Sequence, residues 1–353
     1  MSYTPFNAPI LSGLLSDREI AACFSIKVEI AAMALFEAAL ARATAAAGLI
    51  PADAGDAIAS VCSHFEPDMA ELNAATARDG VCVPELVRQI RAAVDEQHTP
   101  HVHFGATSQD VIDTALMVRM KPVVATLRER LGAIAGQIAK LEERFGDRPL
   151  MARTRMQAAQ ETTIARRLAT WRMPIERHAV RFEEVAPRLL NLQLGGPIGT
   201  REAYGDKAGM VAGRIGTILG LSVSDQSWHS ARDTIAEFAS LLSLITGSLG
   251  KIGQDIALMA QNEIAEIELS GTGGSSAMAH KHNPVRAEIL VTLARFNATL
   301  VSGMHHSLVH EQERSGAAWT LEWMLLPQMC IAAGASTRTA LGLLGQIERI
   351  GSA

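Results

Sequence analysis

The 353-residue sequence predicts an all-α protein: a small N-terminal helical domain followed by a bundle of long helices. Three observations carry that expectation. Hydrophobic residues make up 48% of the chain but aromatic ones only 4%, so alanine and leucine supply the apolar content, and they favour helix over strand. Apolar residues recur at i, i+3, i+4 and i+7 over many turns, the spacing of one helix face. No run alternates with period two, and no hairpin turn stands between strand formers.

Along residues 1–100, Ser16-Asp-Arg-Glu19 has capping-box spacing. Apolar periodicity then runs through Ile30, Met33, Ala34 and Ala38 towards Gly48 and Pro51. Shorter helical units follow up to Gln97, broken by Pro67, Gly80 and Pro84. Residues 101–353 change the scale. A pattern from about Ser108 to Phe145 carries Leu127, Leu131, Ile134, Ile138 and Leu141 at helical spacing. A second runs from Gln157 to Leu192, with Pro174 and Pro187 marking kinks or ends. A third, from about Ser230 to Ile267, has the stripe Phe238, Leu241, Leu242, Ile245, Leu249, Ile252 and Ile256. Two more run from Val285 to Glu311 and from Glu322 to Ile347. Helices this long imply an extended bundle.

Charge narrows the partners. With 32 basic and 37 acidic residues the net charge is −5, so no basic excess exists to neutralise nucleic-acid phosphates. The greasiest stretch, Phe238 to Gly250, is too short and too polar to suggest a membrane span. The first ten residues show no basic region followed by an apolar run, so a cytoplasmic location is expected. Cys23, Cys62, Cys82 and Cys330 are scattered without a C-x-x-C pair, as in reduced intracellular proteins. Only 20% of residues are charged, which suggests that other subunits cover some helix faces.

Three polar islands interrupt the apolar pattern. His101-Val-His-Phe-Gly-Ala-Thr-Ser-Gln-Asp110 leads into the first long helix; a cap formed by Thr107 or Ser108 explains only part of it. Its H-x-H pair lacks neighbouring carboxylates or thiols, so no metal is expected. Ala152-Arg-Thr-Arg-Met-Gln157 offers two guanidinium groups suited to carboxylates. The third, about residues 269–284, contains Gly274-Ser-Ser-Ala-Met-Ala-His-Lys-His-Asn283. It is longer than a helix connection requires, it lacks the G-x-x-x-x-G-K-[ST] spacing of a phosphate-cradling loop, and it suits a mobile catalytic loop. No cofactor is expected.

The third island resembles the signature loop G-S-S-x-M-P-x-K-x-N of the fumarase/aspartase superfamily. The first, Thr107-Ser-Gln-Asp110, is similar to that superfamily's T-S-x-D region, and the second to its G-R-T-H-x-Q region. The stretches His103 to Ala115, Trp228-His-Ser-Ala-Arg-Asp233, Leu249-Gly-Lys-Ile-Gly253 and His310-Glu-Gln-Glu-Arg314 with Trp319 to Trp323 bring the likeness nearest to the bacterial branch that lactonises 3-carboxy-cis,cis-muconate during protocatechuate breakdown. The resemblance covers essentially the whole chain. It implies a homotetramer with shared active sites and a tricarboxylate substrate. Ser275 would be the catalytic base or proton donor, with Lys281 and Asn283 stabilising an enolate-like charge. His103, Thr107, Ser108, Gln109, Thr154, Arg155, Gln157, Ser276 and Arg314 would bind substrate.

Departures from the motif sharpen the reading. Ala279 stands where proline is usual, and Ala152 where glycine is usual. The sequence stops at Ala353, where many members continue into a third small domain, so that domain is expected to be short or absent. Arg155 occupies the position where the lyases carry histidine. Lyases that expel nitrogen benefit from such an acid. A carboxylate leaving group, whose acid has a pKa of about 4, needs none, and an arginine cannot act as one but can bind a carboxylate. Lactonisation is therefore expected over amine elimination. A fumarate-releasing lyase and a non-catalytic helical scaffold are the alternatives.

Overall fold

In the computed structural model, which describes residues 4–271, 273, 274, 278 and 282–351, the short N-terminal units are six helices. They are α1 (Ser12–Leu15), α2 (Arg18–Ala22), α3 (Ile26–Ala46), α4 (Ala52–Ser63), α5 (Met69–Asp79) and α6 (Val83–Ala93). Local chemistry sets their ends. Asp17, not Ser16, caps α2, its carboxylate accepting the Ile20 N–H at 3.0 Å. Asp68 caps α5, and Gly80 closes it at φ 76°, a left-handed conformation that costs glycine little.

A 3-10 turn (Glu96–His101) leads into α7 (Ser108–Phe145), a helix of 38 residues and therefore roughly 57 Å long. Thr107 and Asp110 form a reciprocal capping box at its start. The face containing Leu127, Leu131, Ile134, Ile138 and Leu141 is buried, as its spacing predicts.

The next segment differs from the sequence expectation. Gln157 opens a strand, not a helix: β1 (Pro149–Thr154) pairs antiparallel with β2 (Gln157–Thr163), and α8 spans Ile164–Leu189. Residues 157–161 are all exposed, so no apolar face holds them as helix, and the β-branched Thr162 and Thr163 suit extended backbone. Pro174 and Pro187 lie inside one continuous helix and end nothing.

β3 (Asn191–Leu192), α9 (Ala208–Leu219) and β4 (Ser222–Val223) follow, the two short strands pairing in parallel. Then come α10 (Asp233–Met259), β5 (Ile267–Leu269), α11 (Val285–His306), α12 (Ala317–Leu344) and β6 (Ile347–Ile350), which pairs with β5. α10 ends earlier than Ile267 and α11 stops at His306, so His306 and His310 do not share a helix face.

α10 packs against α8, α11 and α12, and its whole predicted stripe is buried. Two glycines let α11 close in: a Cβ on Gly250 would stand 2.5 Å from the Ala294 Cβ, and one on Gly253 2.5 Å from the Ala287 carbonyl oxygen. By length and composition α10 could cross a membrane, but its apolar stripe is packed inside the bundle.

Ion pairs fix the helix directions. Arg188, late in α8, bonds Glu237, early in α10; Arg232, just before α10, bonds Glu322, early in α12, and Asp113, early in α7. The starts of α7, α10 and α12 thus share one end of the bundle, the near end. The β1–β2 hairpin, the β5–β6 pair, and residues 273 and 283, which pair with each other, follow the opposite helix ends and occupy the far end.

Candidate active site

The near end is organised by Asp110, which is wholly buried. Its Oδ2 accepts the Thr107 N–H at 3.1 Å and the Gly196 N–H at 2.9 Å, while Oδ1 accepts the Gly195 N–H at 2.8 Å. His229 Nε2 donates to Oδ1 at 2.9 Å. A Cβ on Gly195 would stand 2.7 Å from the Ser227 Cβ and 2.8 Å from the His229 Cε1, so only glycine fits there. On the outer side of this turn, Arg314 Nη2 donates to the Pro197 carbonyl oxygen at 2.9 Å. The Thr107 backbone, through Asp110, and the Arg314 guanidinium therefore meet around one glycine turn.

His103 joins this end from a left-handed backbone conformation, φ 63°, which is uncommon for a residue with a side chain. Its Nδ1–H donates to Glu37 Oε1 of α3 at 2.6 Å. Burial works against charge on this ring, but the Glu37 carboxylate outweighs it and raises the imidazole above its ordinary value.

Gln109 is a correction to the sequence reading. It was expected to touch substrate, but its side chain is fully buried and its Nε2 donates to the His229 carbonyl at 2.9 Å and to Asp113 at 3.1 Å. Ser108, one position earlier, is half-buried, and the helix turns its neighbour into the core. Below it, Arg232 bridges Asp113 and Glu322, with both carboxylates and the guanidinium about 1–2% exposed. Trp319 Nε1–H adds a bond to Asp113 at 3.0 Å, and the Arg232 guanidinium lies 4.8 Å over the Trp228 ring. Burial disfavours a charged Glu322, yet the facing His310 and Arg232 hold its carboxyl below the usual range. In the sequence Arg232 stands out only as part of the family-like stretch Trp228-His-Ser-Ala-Arg-Asp233. The pairing of Gln109 and Asp113 at i and i+4 was the available signal for this buried layer.

The far end carries the second island on the hairpin tip. Thr154 pairs with Gln157 across a two-residue turn, Arg155 (φ 49°) and Met156 (φ 68°). Positive φ at both central positions marks the turn family that matches strand twist, and asparagine or glycine normally occupies it. Arg155 and Gln157 are exposed, and Met156 is 73% exposed. Arg153 is not free for an anion, since its Nη1 donates to Glu266 at 2.6 Å; that bond anchors the hairpin just beyond α10. Asn283 is held by two backbone bonds to Gly273, at 3.0 and 2.9 Å. Ser275, Ser276, Ala279 and Lys281 lie outside the described residues.

Within one chain, Thr107 and Ser108 stand at one end of α7, while Arg155 stands on a hairpin beyond its other end. A helix of roughly 57 Å separates them. One chain therefore does not bring its own three islands together.

A family described as lyase matches residues 8–298. The 3-carboxy-cis,cis-muconate cycloisomerase of Pseudomonas aeruginosa is 39% identical over 333 residues, covering 93% of this chain and 72% of that protein. The enzyme of the same name from Pseudomonas putida is 37% identical over 350 residues, covering 97% and 81%. A solved structure of 3-carboxy-cis,cis-muconate lactonizing enzyme from Pseudomonas putida superposes with a TM-score of 0.90 at 36% identity, over 96% of this chain and 76% of that one. The matched segment spans both ends of the bundle, so the chain belongs to the lyase family of the fumarase/aspartase superfamily.

Proposed function

We propose that this chain is a cycloisomerase that converts 3-carboxy-cis,cis-muconate to 4-carboxymuconolactone. The observation that carries the reading is Arg155, exposed at the tip of a strained turn where the superfamily's lyases place a histidine. A guanidinium binds carboxylate in a bidentate manner and does not give up its proton at working pH. The relatives that share 37–39% of their residues with this chain bear the same name.

In the forward reaction one substrate carboxylate oxygen forms a bond to an alkene carbon, one π bond is consumed, and a proton arrives at the neighbouring carbon. Charge builds on the adjacent carboxylate as an enolate-like dianion, which preorganised donors stabilise. Lys281 and Asn283 are assigned that role, and Ser275 the proton transfer. His103 and Arg314 at the near end, with Arg155 from the far end, hold the three carboxylates; Thr107, Ser108, Thr154, Gln157 and Ser276 complete the polar lining.

The separation of the two ends supports a homotetramer with shared sites. In a homotetramer with antiparallel bundles, the near end of one subunit meets the far ends of others. Exposed apolar side chains on the bundle flank, Met173, Val180, Leu244 and Met324, support such packing. We place the enzyme in the cytoplasm, with residues 1–100 as a helical domain flanking the near end.

Addition of purified protein to carboxymuconate should abolish the diene's ultraviolet absorbance, and Ser275→Ala should prevent this. Flat absorbance together with fumarate release from adenylosuccinate would move the assignment to a fumarate-releasing lyase. His101 or His229 beside Arg155 would favour that alternative, and His229 is tied to Asp110 at the near end.

A further inference from the structure

Glu37 projects from the middle of α3 with a side chain 0% exposed. A carboxylate so placed persists as an ion only beside a partner. Among the described residues its side chain bonds only His103, at 2.6 Å, and its second oxygen has no partner. His103 is held over it by a left-handed backbone, φ 63°, and remains 15% exposed. Its Nδ1 faces Glu37, and its Nε2 has no hydrogen bond among the described residues. One nitrogen is therefore fixed inward as a donor while the other is left for a ligand.

We propose that Glu37 is a positioning residue that keeps His103 as a fixed cation whose Nε2–H receives a substrate carboxylate. This rests on the site assigned above and adds to it a reason for the pair. A neutral imidazole with Nδ1–H bound to Glu37 would present a lone pair at Nε2, which repels a carboxylate. The doubly protonated ring presents a donor and a charge.

Groups on every neighbouring element bear on this ring. Burial disfavours the cation; Glu37 on α3 favours it most among the charged neighbours, Asp110 on α7 adds to that, and Arg91 on α6 opposes it. Tyr204 lies close to the same acids, and burial raises its hydroxyl well above the ordinary value, so it stays neutral. The net effect is a raised imidazole. The cation is present below its folded-state titration and is lost as pH rises through it, so substrate binding weakens at the alkaline side.

The test is KM and kcat for lactonisation from about pH 5.5 to about pH 9, bracketing the ordinary histidine range, in wild type, Glu37→Gln, Glu37→Asp and His103→Gln. Glu37→Gln should move the alkaline rise in KM to lower pH. At about pH 8 its KM should exceed wild type by about tenfold for each pH unit moved, and the two should converge at about pH 5.5. The loss should fall on KM, not kcat. Glu37→Asp should restore much of the wild-type profile, and His103→Gln should give a KM that is high and flat. A KM raised by the same factor at every pH, or a loss confined to kcat, overturns the proposal.

Wild type that fails to lactonise carboxymuconate would defeat the functional reading instead. The histidine is then read directly by NMR titration of ring C2 protons in substrate-free wild type and Glu37→Gln, with His103→Gln identifying the signal. A His103 signal that titrates at the same pH in both proteins overturns the proposal whatever the substrate.

Discussion

Asp110 Oδ1 lies 2.9 Å from His229 Nε2, a pairing across 119 positions of sequence. The same carboxylate accepts the N–H groups of Thr107, Gly195 and Gly196, so it joins the start of α7 to the turn that Arg314 grips. Asp110→Asn keeps the shape but turns an amide NH2 group, itself a donor, towards at least one of these donors. Leaving buried N–H groups without acceptors costs about 1–3 kcal/mol each, so the variant should lose about 2–4 kcal/mol of unfolding free energy in urea. Activity should fall with it. An unchanged midpoint would show that these bonds do not hold the near end together.

His178 gives the fold an acid limit. Its ring is 3% exposed, Nε2 lies 2.8 Å from the Ser248 hydroxyl, and Arg181 Nη1 donates to Nδ1 at 3.1 Å. Burial first, then Arg181 and Arg177, push the imidazole down to about 4. The unfolded chain takes up the proton near the ordinary value of about 6.5, the folded chain only near 4. Between those values the unfolded state binds more protons, so stability falls as pH falls. Urea midpoints for wild type should drop between about pH 7 and about pH 4.5. His178→Gln should flatten that part of the profile, and an equal slope in both proteins would remove His178 as its cause.

The hairpin tip separates stability from activity. Met156 sits at φ 68°, where a Cβ costs about 1–2 kcal/mol; glycine removes that cost but adds freedom to the unfolded chain. Met156→Gly should therefore leave the thermal midpoint equal or slightly raised. Arg155→Asn also suits the turn, since asparagine tolerates positive φ, but it deletes the guanidinium. A charge-assisted bond of about 1.5–3 kcal/mol is lost, so kcat/KM should drop by about tenfold to a hundredfold at unchanged midpoint. Full activity in Arg155→Asn would take the arginine out of the site.

The long helices were legible because their cores are simple: Leu127 to Leu141 on α7 and Phe238 to Ile256 on α10 are buried as their spacing requires. Gln157 to Thr163 misled because the hairpin carries almost no apolar pattern. Its strands are specified by pairing with residues 149–154, and the turn at Arg155–Met156 lacks the glycine or asparagine that announces such turns. The polar islands were visible as breaks in an apolar chain, and a resemblance supplied their roles. Which side chain faces inward is only partly visible: the i, i+4 spacing puts Gln109 and Asp113 on one face, and packing against His229 decides that this face turns into the core. Glu37 gave no signal at all, because its partner His103 is 66 positions away.

The separation of near and far ends has a consequence that mixing variants can read. Arg314→Ala damages the near end of its own chain, and Arg155→Ala the far end. If each site takes its near end from one subunit and its hairpin from another, every site in both homotetramers lacks one arginine, and both retain about a tenth of wild-type kcat/KM or less. Unfolding the two variants together and refolding them as a mixture changes this. Half of the near ends and half of the hairpins are then intact, so about a quarter of the sites in randomly mixed symmetric tetramers regain both arginines. Activity should recover to about that fraction of wild type, and only in the mixture. A site contained in one chain can never regain both groups by mixing, so a mixture as inactive as its parents would remove the shared-site reading and, with it, the reason for Arg155 and Arg314 to act on one substrate.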